Sequence, residues 1–378
     1  MQPVYAMAFD YLIVGCGMFG AVFARIVAEN GCRVLLIDKR GHIGGNCFTE
    51  RLEGINVHRY GPHVFHTNSE GVWRFVNRFV EFNHFRLRTP VNFGGRLFSF
   101  PINLMTMQQV WNVTSSEEAE RKLAAVRIPC DNPGNLEEWA LSQVGRELYE
   151  KFIRGYTTKQ WGRDPRALPA AIIRRLPIRR TCNDRYFDDR FEGVPIGGYT
   201  RLFENMLDHG NIRFETGVDF FQERTWARQQ AARLVFTGKI DEFFDYRFGQ
   251  LEYRSLRFEH QLRAGDFQGS AIINYSAAEV PYTRITEHKH FDMLDSARTV
   301  ITYEFPDRYD ETKIPYYPIR DKRNQAVYER YRNLAQETQV IFGGRLGAYM
   351  YYDMHQVVAQ AMSTARKELE RRSVAKAA

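Results

Sequence analysis

FDYLIVGCGMFGAVFARIVAENGCRVLLID, residues 9–38, decides the fold. Phe9–Val14 is a short apolar run that reads as a buried strand. It meets Gly15-Cys16-Gly17-Met18-Phe19-Gly20, a G-x-G-x-x-G turn. From Met18 to Asn30 apolar residues recur at helical spacing and stop at Gly31, a helix-ending residue. A second strand, Arg33–Ile37, closes on Asp38, 18 positions after the last glycine. Strand, turn, helix, strand and acid stand in the order of a βαβ dinucleotide-binding unit. Gly15 permits the tight turn, Gly17 lets backbone approach a pyrophosphate, and Gly20 lets helix and sheet pack closely. The helix N-terminus offers unpaired N–H groups to the phosphates, and Asp38 accepts the ribose hydroxyls. Arg40-Gly41-His42-Ile43-Gly44-Gly45-Asn46 follows at once. A second glycine-rich loop here brings backbone close to the cofactor again, where NAD dehydrogenases run into a helix. A plain surface loop is the alternative that the glycines alone leave open.

Composition bounds the rest. A chain of 378 residues predicts two or three domains. With 44% hydrophobic and 26% charged residues it is neither disordered, collagen-like nor a coiled coil. No stretch approaches the ~18 consecutive apolar residues of a membrane span, and the first ten residues show no secretory signal pattern. Of 52 basic residues 10 are Lys, leaving 42 Arg. Arg forks suit phosphate and carboxylate, although codon bias explains the excess equally well. The basic residues form no run, which argues against a nucleic-acid arm. The five cysteines are odd in number and include no CxxC pair, so neither a zinc site nor a disulfide framework is expected. Free thiols in a reducing cytoplasm fit best.

Outward from the first unit, Ser69–Val76 reads as a capped helix start, and Val91–Phe100 as a hairpin turning at Gly94-Gly95. Ser115–Val126 and Asn135–Tyr149 read as amphipathic helices, with helix signals again at Pro169–Leu176. Arg179–Arg190 is polar and irregular, an exposed and mobile loop by its composition. A helix is expected at Tyr199–Leu207, and strands at Ile212–Thr216, Arg233–Phe236, Phe243–Phe248, Leu251–Phe258, Ala271–Tyr275, Thr299–Phe305 and Gln339–Phe342. A long helix from Met354 to Arg371 ends the chain, with Asp353 at its N-cap. The expected class is α/β. A discontinuous Rossmann-like FAD-binding domain takes 1–80, 192–245 and 335–378. A mainly helical insertion with a mobile loop takes 81–191, and an antiparallel-sheet substrate domain takes 246–334.

Eight motifs in order carry a resemblance. They are the GxGxxG unit, Gly41–Asn46, GPHVFHT at 61–67, GYTTKQW at 155–161, PIGGY at 195–199, TGKID at 237–241, EYRSLRF at 252–258 and GGRLG at 343–347. Together the chain resembles the bacterial UDP-galactopyranose mutase family over nearly its whole length. On the residues alone, two histidines three apart are more often packing than site, the aromatics of GYTTKQW are more often core, and most arginines are solvated. The resemblance implies more. It implies a flavin-dependent isomerase that interconverts UDP-galactopyranose and UDP-galactofuranose, with N5 of reduced FAD as nucleophile on sugar C1. It assigns FAD contacts to Gly15, Gly17, Met18, Phe19, Gly20, Asp38, Lys39, Gly45, Asn46, His63, Arg345, Tyr351, Asp353 and Met354. It assigns the UDP-galactose substrate to Phe152, Tyr156, Thr157, Trp161, Arg175, Tyr186, Arg284, Tyr316 and Tyr351. His63, Arg175 and Arg284 are the catalytic candidates, and no metal is called for. A cytoplasmic homodimer is expected. The alternatives are a flavin oxidoreductase of the amine-oxidase or hydroxylase type, and a non-catalytic nucleotide-sugar binder.

Overall fold

The computed structural model describes residues 8–174 and 176–377. Arg175, a predicted diphosphate ligand, lies outside the described residues. Three helices recur below: α1 (Met18–Glu29), α2 (Gly155–Trp161) and α3 (Met354–Ala377).

Five parallel strands form the first sheet, in the order Ile341–Phe342, Ala231–Phe236, Phe9–Val14, Val34–Asp38, Ile212–Thr216. They come from three distant parts of the chain. The central strand is apolar on both faces because helices and aromatic side chains cover both. α1 is buried without a break from Met18 to Ala24, and again at Val27 and Ala28, because it is enclosed by the sheet and by α3. Two glycines make that packing possible. Gly15 has φ +107°, and a Cβ there would lie 2.0 Å from Thr237 Oγ1. At Gly20 a Cβ would lie 2.1 Å from the Gly15 carbonyl oxygen, so any other residue would push α1 off the turn.

A seven-stranded sheet stands beside it, in the order Tyr317–Pro318, Tyr253–Ala264, Arg298–Arg308, Arg284–Glu287, Ile272–Tyr275, Val91–Phe93, Arg96–Phe98. The hairpin with Gly94-Gly95 at its turn forms one edge. Its neighbours in sequence are helices: Leu104–Trp111, Ser116–Val126 and Leu136–Leu148. Leu136, Ala140, Val144 and Leu148 pack against Met107, Leu123 and Phe152 in a core of their own. Asn135 caps the third of these helices by accepting the Glu138 N–H at 3.0 Å.

The structure corrects two expectations and adds one helix that the sequence reading did not predict. Phe243–Phe248 is not a strand. A short helix covers Ile240–Phe243, and Asp245 and Tyr246 follow at φ +52° and +55°. The phenyl rings here serve packing and not pleat: Phe243 meets Phe220, Phe236 and Phe342. Pro169–Leu176 is not a long helix: among its described residues there is only one tight turn, Ala170–Ile172. Lys322–Gln336, which carries no strong apolar stripe, is a 15-residue helix capped by Asp321. Within 179–190 the Arg179 side chain is only 10% exposed. Its Nη1 donates to the Arg185 carbonyl at 2.6 Å, and its Nη2 pairs with Asp188 at 2.8 Å, so the segment is tied to itself.

Candidate active site

A cleft of about 1090 Å³ runs between the glycine turn of the first sheet and the second sheet. It exceeds the ~300–1,000 Å³ of a single small-ligand pocket, and so has room for a dinucleotide and a second ligand. Of the described residues singled out from sequence, all but Gly20 line it. Gly20 sits behind the turn, in packing.

On the first wall, Asp38 ties the turn together. Its Oδ2 accepts the Cys16 N–H at 2.8 Å and its Oδ1 the Arg40 N–H at 2.9 Å. A second lone pair on each oxygen stays available to a ribose hydroxyl. The Gly44 N–H donates to the Cys16 carbonyl at 2.9 Å, folding the second glycine loop back onto the first. A Cβ built on Gly17 would meet nothing within 4 Å, so its backbone faces open cleft. Arg40 Nη1 and Arg345 Nε are buried and find no hydrogen-bond partner among the described residues. Both arginines line the cleft. An open glycine face with partnerless guanidinium donors fits a diphosphate-bearing dinucleotide. At the mouth of the wall, α3 begins: Gln356 Oε1 accepts the Asp353 N–H at 2.9 Å, the returning half of a capping box.

The opposite wall is built on one cross-strand pair. Antiparallel register sets Arg284 directly across from Glu304. Arg284 Nε lies 3.1 Å from Glu304 Oε1, and its Nη2 donates to Tyr156 Oη at 2.7 Å. Burial opposes charge on Arg284, but Glu304 and the nearby phenols of Tyr156, Tyr317 and Tyr186 outweigh it, and its pKa stands well above the usual. Burial pushes the Tyr156 phenol up to about 12, so it remains a donor at neutral pH. Arg345 lies over the rings of Tyr351 and Tyr317, 4.9 and 5.5 Å from their centroids. Phe152, Tyr156, Thr157 and Trp161 line one end along α2 and the turn before it, with Tyr316 and Tyr186 nearby.

His63 stands between the two walls. Its Nδ1 is 2.8 Å from the Gly61 carbonyl, which only accepts, so Nδ1 carries the proton and Nε2 is an acceptor. Burial pulls its pKa down to about 4, and the charges of Arg345 and Arg284 add to that. The loop that carries it rests on other neutral imidazoles. The His63 N–H donates to His58 Nδ1 at 3.1 Å, and the His58 N–H to His288 Nδ1 at 3.2 Å. His288 Nε2 reaches Thr302 Oγ1 at 2.6 Å, which also meets His260 Nδ1 at 2.7 Å.

Sequence reasoning missed Glu304, Arg40, Tyr317 and Lys159. Glu304 lies 20 residues from Arg284 and only strand register joins them. Lys159 had a signal, since it sits inside the GYTTKQW motif. Its Nζ lies 2.8 to 3.0 Å from four carbonyl oxygens, of Tyr275, Ala277, Val280 and Tyr282, which share its three N–H donors.

Residues 151–351 match the UDP-galactopyranose mutase family. The chain belongs to that family. Residues 13–79 also match the NAD(P)-binding Rossmann-like domain. A probable UDP-galactopyranose mutase of Klebsiella pneumoniae is 43% identical over 94% of this chain and 94% of its own. A dTDP-fucopyranose mutase of Escherichia coli is 42% identical over 94% of this chain and 97% of its own. Among solved structures, a reduced UDP-galactopyranose mutase superposes with a TM-score of 0.76, over 97% of this chain and 94% of that one, at 14% identity. A putrescine oxidase bound to putrescine shares the fold at 0.57 and 12% identity, over 96% and 99%. The oxidoreductase alternative is thus a distant relative in fold. As a UDP-galactopyranose mutase family member the chain is a flavin-dependent isomerase of nucleotide sugars. No helix among the described residues is long and apolar enough to cross a membrane.

Proposed function

We propose that this isomerase interconverts UDP-galactopyranose and UDP-galactofuranose, using FAD in its reduced form. One observation carries the reading: Arg284, on a strand of the second sheet, and Arg345, in the short helix Gly344–Gly347 that follows the first, line one cleft together with His63. Two guanidiniums flanking one neutral acceptor suit a diphosphate held beside a reaction centre. The turn at Gly15, Gly17, Met18 and Phe19, with Asp38, Lys39, Gly45 and Asn46, would hold the FAD. Arg345, Tyr351, Asp353 and Met354 lie where the positive end of α3 favours negative charge on the flavin.

Bound and reduced, the flavin supplies a nucleophilic ring nitrogen for the anomeric carbon of the sugar. The chain's own groups do the rest. Phe152, Thr157 and Trp161 receive the uridine, whose base stacks on flat apolar faces. Arg284 stabilises the negative charge that collects on the diphosphate as the C1–O bond breaks. Glu304 keeps that guanidinium aimed, and Tyr156, Tyr186, Tyr316 and Tyr351 offer phenol donors around it. His63, uncharged, accepts a hydrogen bond at Nε2 without adding charge of its own. We also infer a cytoplasmic homodimer, with domains divided at the boundaries expected from sequence; a cysteine set without a disulfide among the described residues suits a reducing compartment.

The 42% identity to a dTDP-fucopyranose mutase supports a second reading, the same ring contraction on a 6-deoxy sugar carried by thymidine. One assay separates them. Dithionite-reduced enzyme should convert UDP-galactopyranose in both directions, and air-oxidised enzyme should be nearly inactive. A higher kcat/KM for dTDP-fucopyranose would select the second reading. Stoichiometric oxygen consumption would replace both with an oxidase.

A further inference from the structure

GPHVFHT holds a second histidine, and the function above leaves it without a task. His66 lies on the strand Phe65–Thr67, lines the cleft and is 8% exposed. Its Nδ1 is 2.6 Å from Asp189 Oδ2, across 123 residues of sequence. The other carboxylate oxygen of Asp189 accepts from Asn68 Nδ2. Asn68 Oδ1 in turn accepts the Arg190 N–H at 2.9 Å. Both oxygens of one carboxylate and both ends of one amide therefore join the strand to residues 189–190. The ring of His66 adds a face: Phe187 stacks on it at 3.6 Å between centroids and 11° between planes.

Between these fixed points lies Tyr186. Its N–H donates to the Leu87 carbonyl at 2.8 Å, and its ring meets Phe187 edge-on at 4.9 Å. Its phenol is close enough to Arg284 and Tyr156 to act on the charge state of both. The segment has no regular structure of its own to hold this phenol in place. Backbone ties hold its two ends, at Arg185 and Tyr186 against Arg88 and Leu87 and at Phe191–Gly193 against the strand of His66; between them the hydrogen-bonded, stacked His–Asp pair adds a side-chain anchor.

We propose that His66 and Asp189 form a latch that fixes the Tyr186–Phe187 segment over the cleft and so aims Tyr186 at the substrate diphosphate. They are positioning residues, acting through Tyr186, and the inference rests on the nucleotide-sugar reading above. Packing alone would need only the stacked ring. The latch needs the Nδ1–H and its carboxylate.

The experiment uses flavin-loaded protein carrying Asp189→Asn, His66→Phe, Tyr186→Phe and the Asp189→Asn/Tyr186→Phe double. His66→Phe keeps a ring against Phe187 and removes the hydrogen bond, so it serves if Asp189→Asn does not fold. Losing a charge-assisted hydrogen bond should speed amide exchange at Tyr186 and Arg190 by about tenfold or more. Either latch variant should raise the KM for UDP-galactopyranose by about tenfold with kcat within about twofold and flavin retained. In the Tyr186→Phe background, Asp189→Asn should add less than about a twofold change, because the two act as one unit. Unchanged amide exchange, or effects on KM that multiply in the double variant, would overturn the latch. Wild-type enzyme without activity on UDP-galactopyranose would instead refute the functional reading, while the exchange rates would still report on the latch.

Discussion

A buried arginine contributes to catalysis only if it keeps its charge and points the right way. Arg284 does both through Glu304, the residue across the sheet, and its side chain is 23% exposed where Glu304 is 3%. Arg284→Ala should lower kcat/KM by roughly 10²–10³, the scale of losing one preorganised electrostatic stabiliser, while the yellow cofactor stays bound. Near-full turnover would remove Arg284 from the reaction. Lys should not substitute for it, because a point charge cannot meet Glu304 and Tyr156 in one plane. Glu304→Gln tests the pair from the other side. It leaves a largely buried guanidinium beside a neutral amide, and removing one member of a buried pair costs about 3–5 kcal/mol. Chemical denaturation should report most of that loss, and a stability equal to wild type would mean that Glu304 is not what holds Arg284.

At the scale of elements, two devices fix the site, and each has a test. The first is the loop from His58 to His63, seated on neutral imidazoles. Burial pulls His58 down to about 3 and His63 to about 4, and takes His288 well below its ordinary value. Their folded pKa values are depressed, so the unfolded chain binds more protons. The stability they contribute is present above about pH 6.5 and is lost as pH falls through the folded values. Each histidine should take about 1.4 kcal/mol per pH unit from the unfolding free energy across that window. Urea midpoints measured from pH 7 to pH 4.5 should therefore drop steeply, and a flat profile would contradict neutral imidazoles. The second device is Lys159, whose ammonium joins α2 to the turn between Tyr275 and Tyr282. Gly155 brings that helix in close, since a Cβ there would lie 2.2 Å from the Ser276 carbonyl. Lys159→Met removes the cation that four carbonyls share and should loosen Tyr156 from Arg284. UDP should bind roughly tenfold more weakly by calorimetry, given ~1.5 kcal/mol or more for a hydrogen bond to a charged group. An unchanged affinity would make Lys159 a fold residue only. The first device escaped sequence reading and the second was only half visible, for different reasons. Short-range patterns mark Gly15–Gly20 and Asp38 because one turn gathers them. The histidine chain spans residues 58 to 302, and only the pairing of strands reveals it. Phe243–Phe248 misled because aromatic residues have strand propensity, and tertiary packing overrode it.

Over the whole molecule, the cleft is where the two sheets meet, and some of its donors are left for a ligand. Arg40 and Arg345 keep buried donors without a partner among the described residues, and Gly17 opens onto space. Individual motifs were legible because each βα turn or helix carries its own spacing. The cleft was not, because it exists only once strands from residues 9 to 342 have paired. Such a joint should gain stability from whatever fills it. A ligand that binds only the folded chain stabilises it by RT ln(1 + [L]/Kd), about 2.7 kcal/mol at a hundredfold excess over Kd. Removing the flavin should therefore lower the melting temperature by several degrees. The loss should appear first as faster amide exchange in the Gly15–Gly20 turn and the Gly41–Asn46 loop, which pack on each other in the first wall. UDP added to flavin-loaded protein should raise the melting temperature again, with protection at α2 and at the strand bearing Arg284. Flavin-free protein that melts where the loaded protein does, with the same exchange in both glycine loops, would show that the cofactor is not held at this joint.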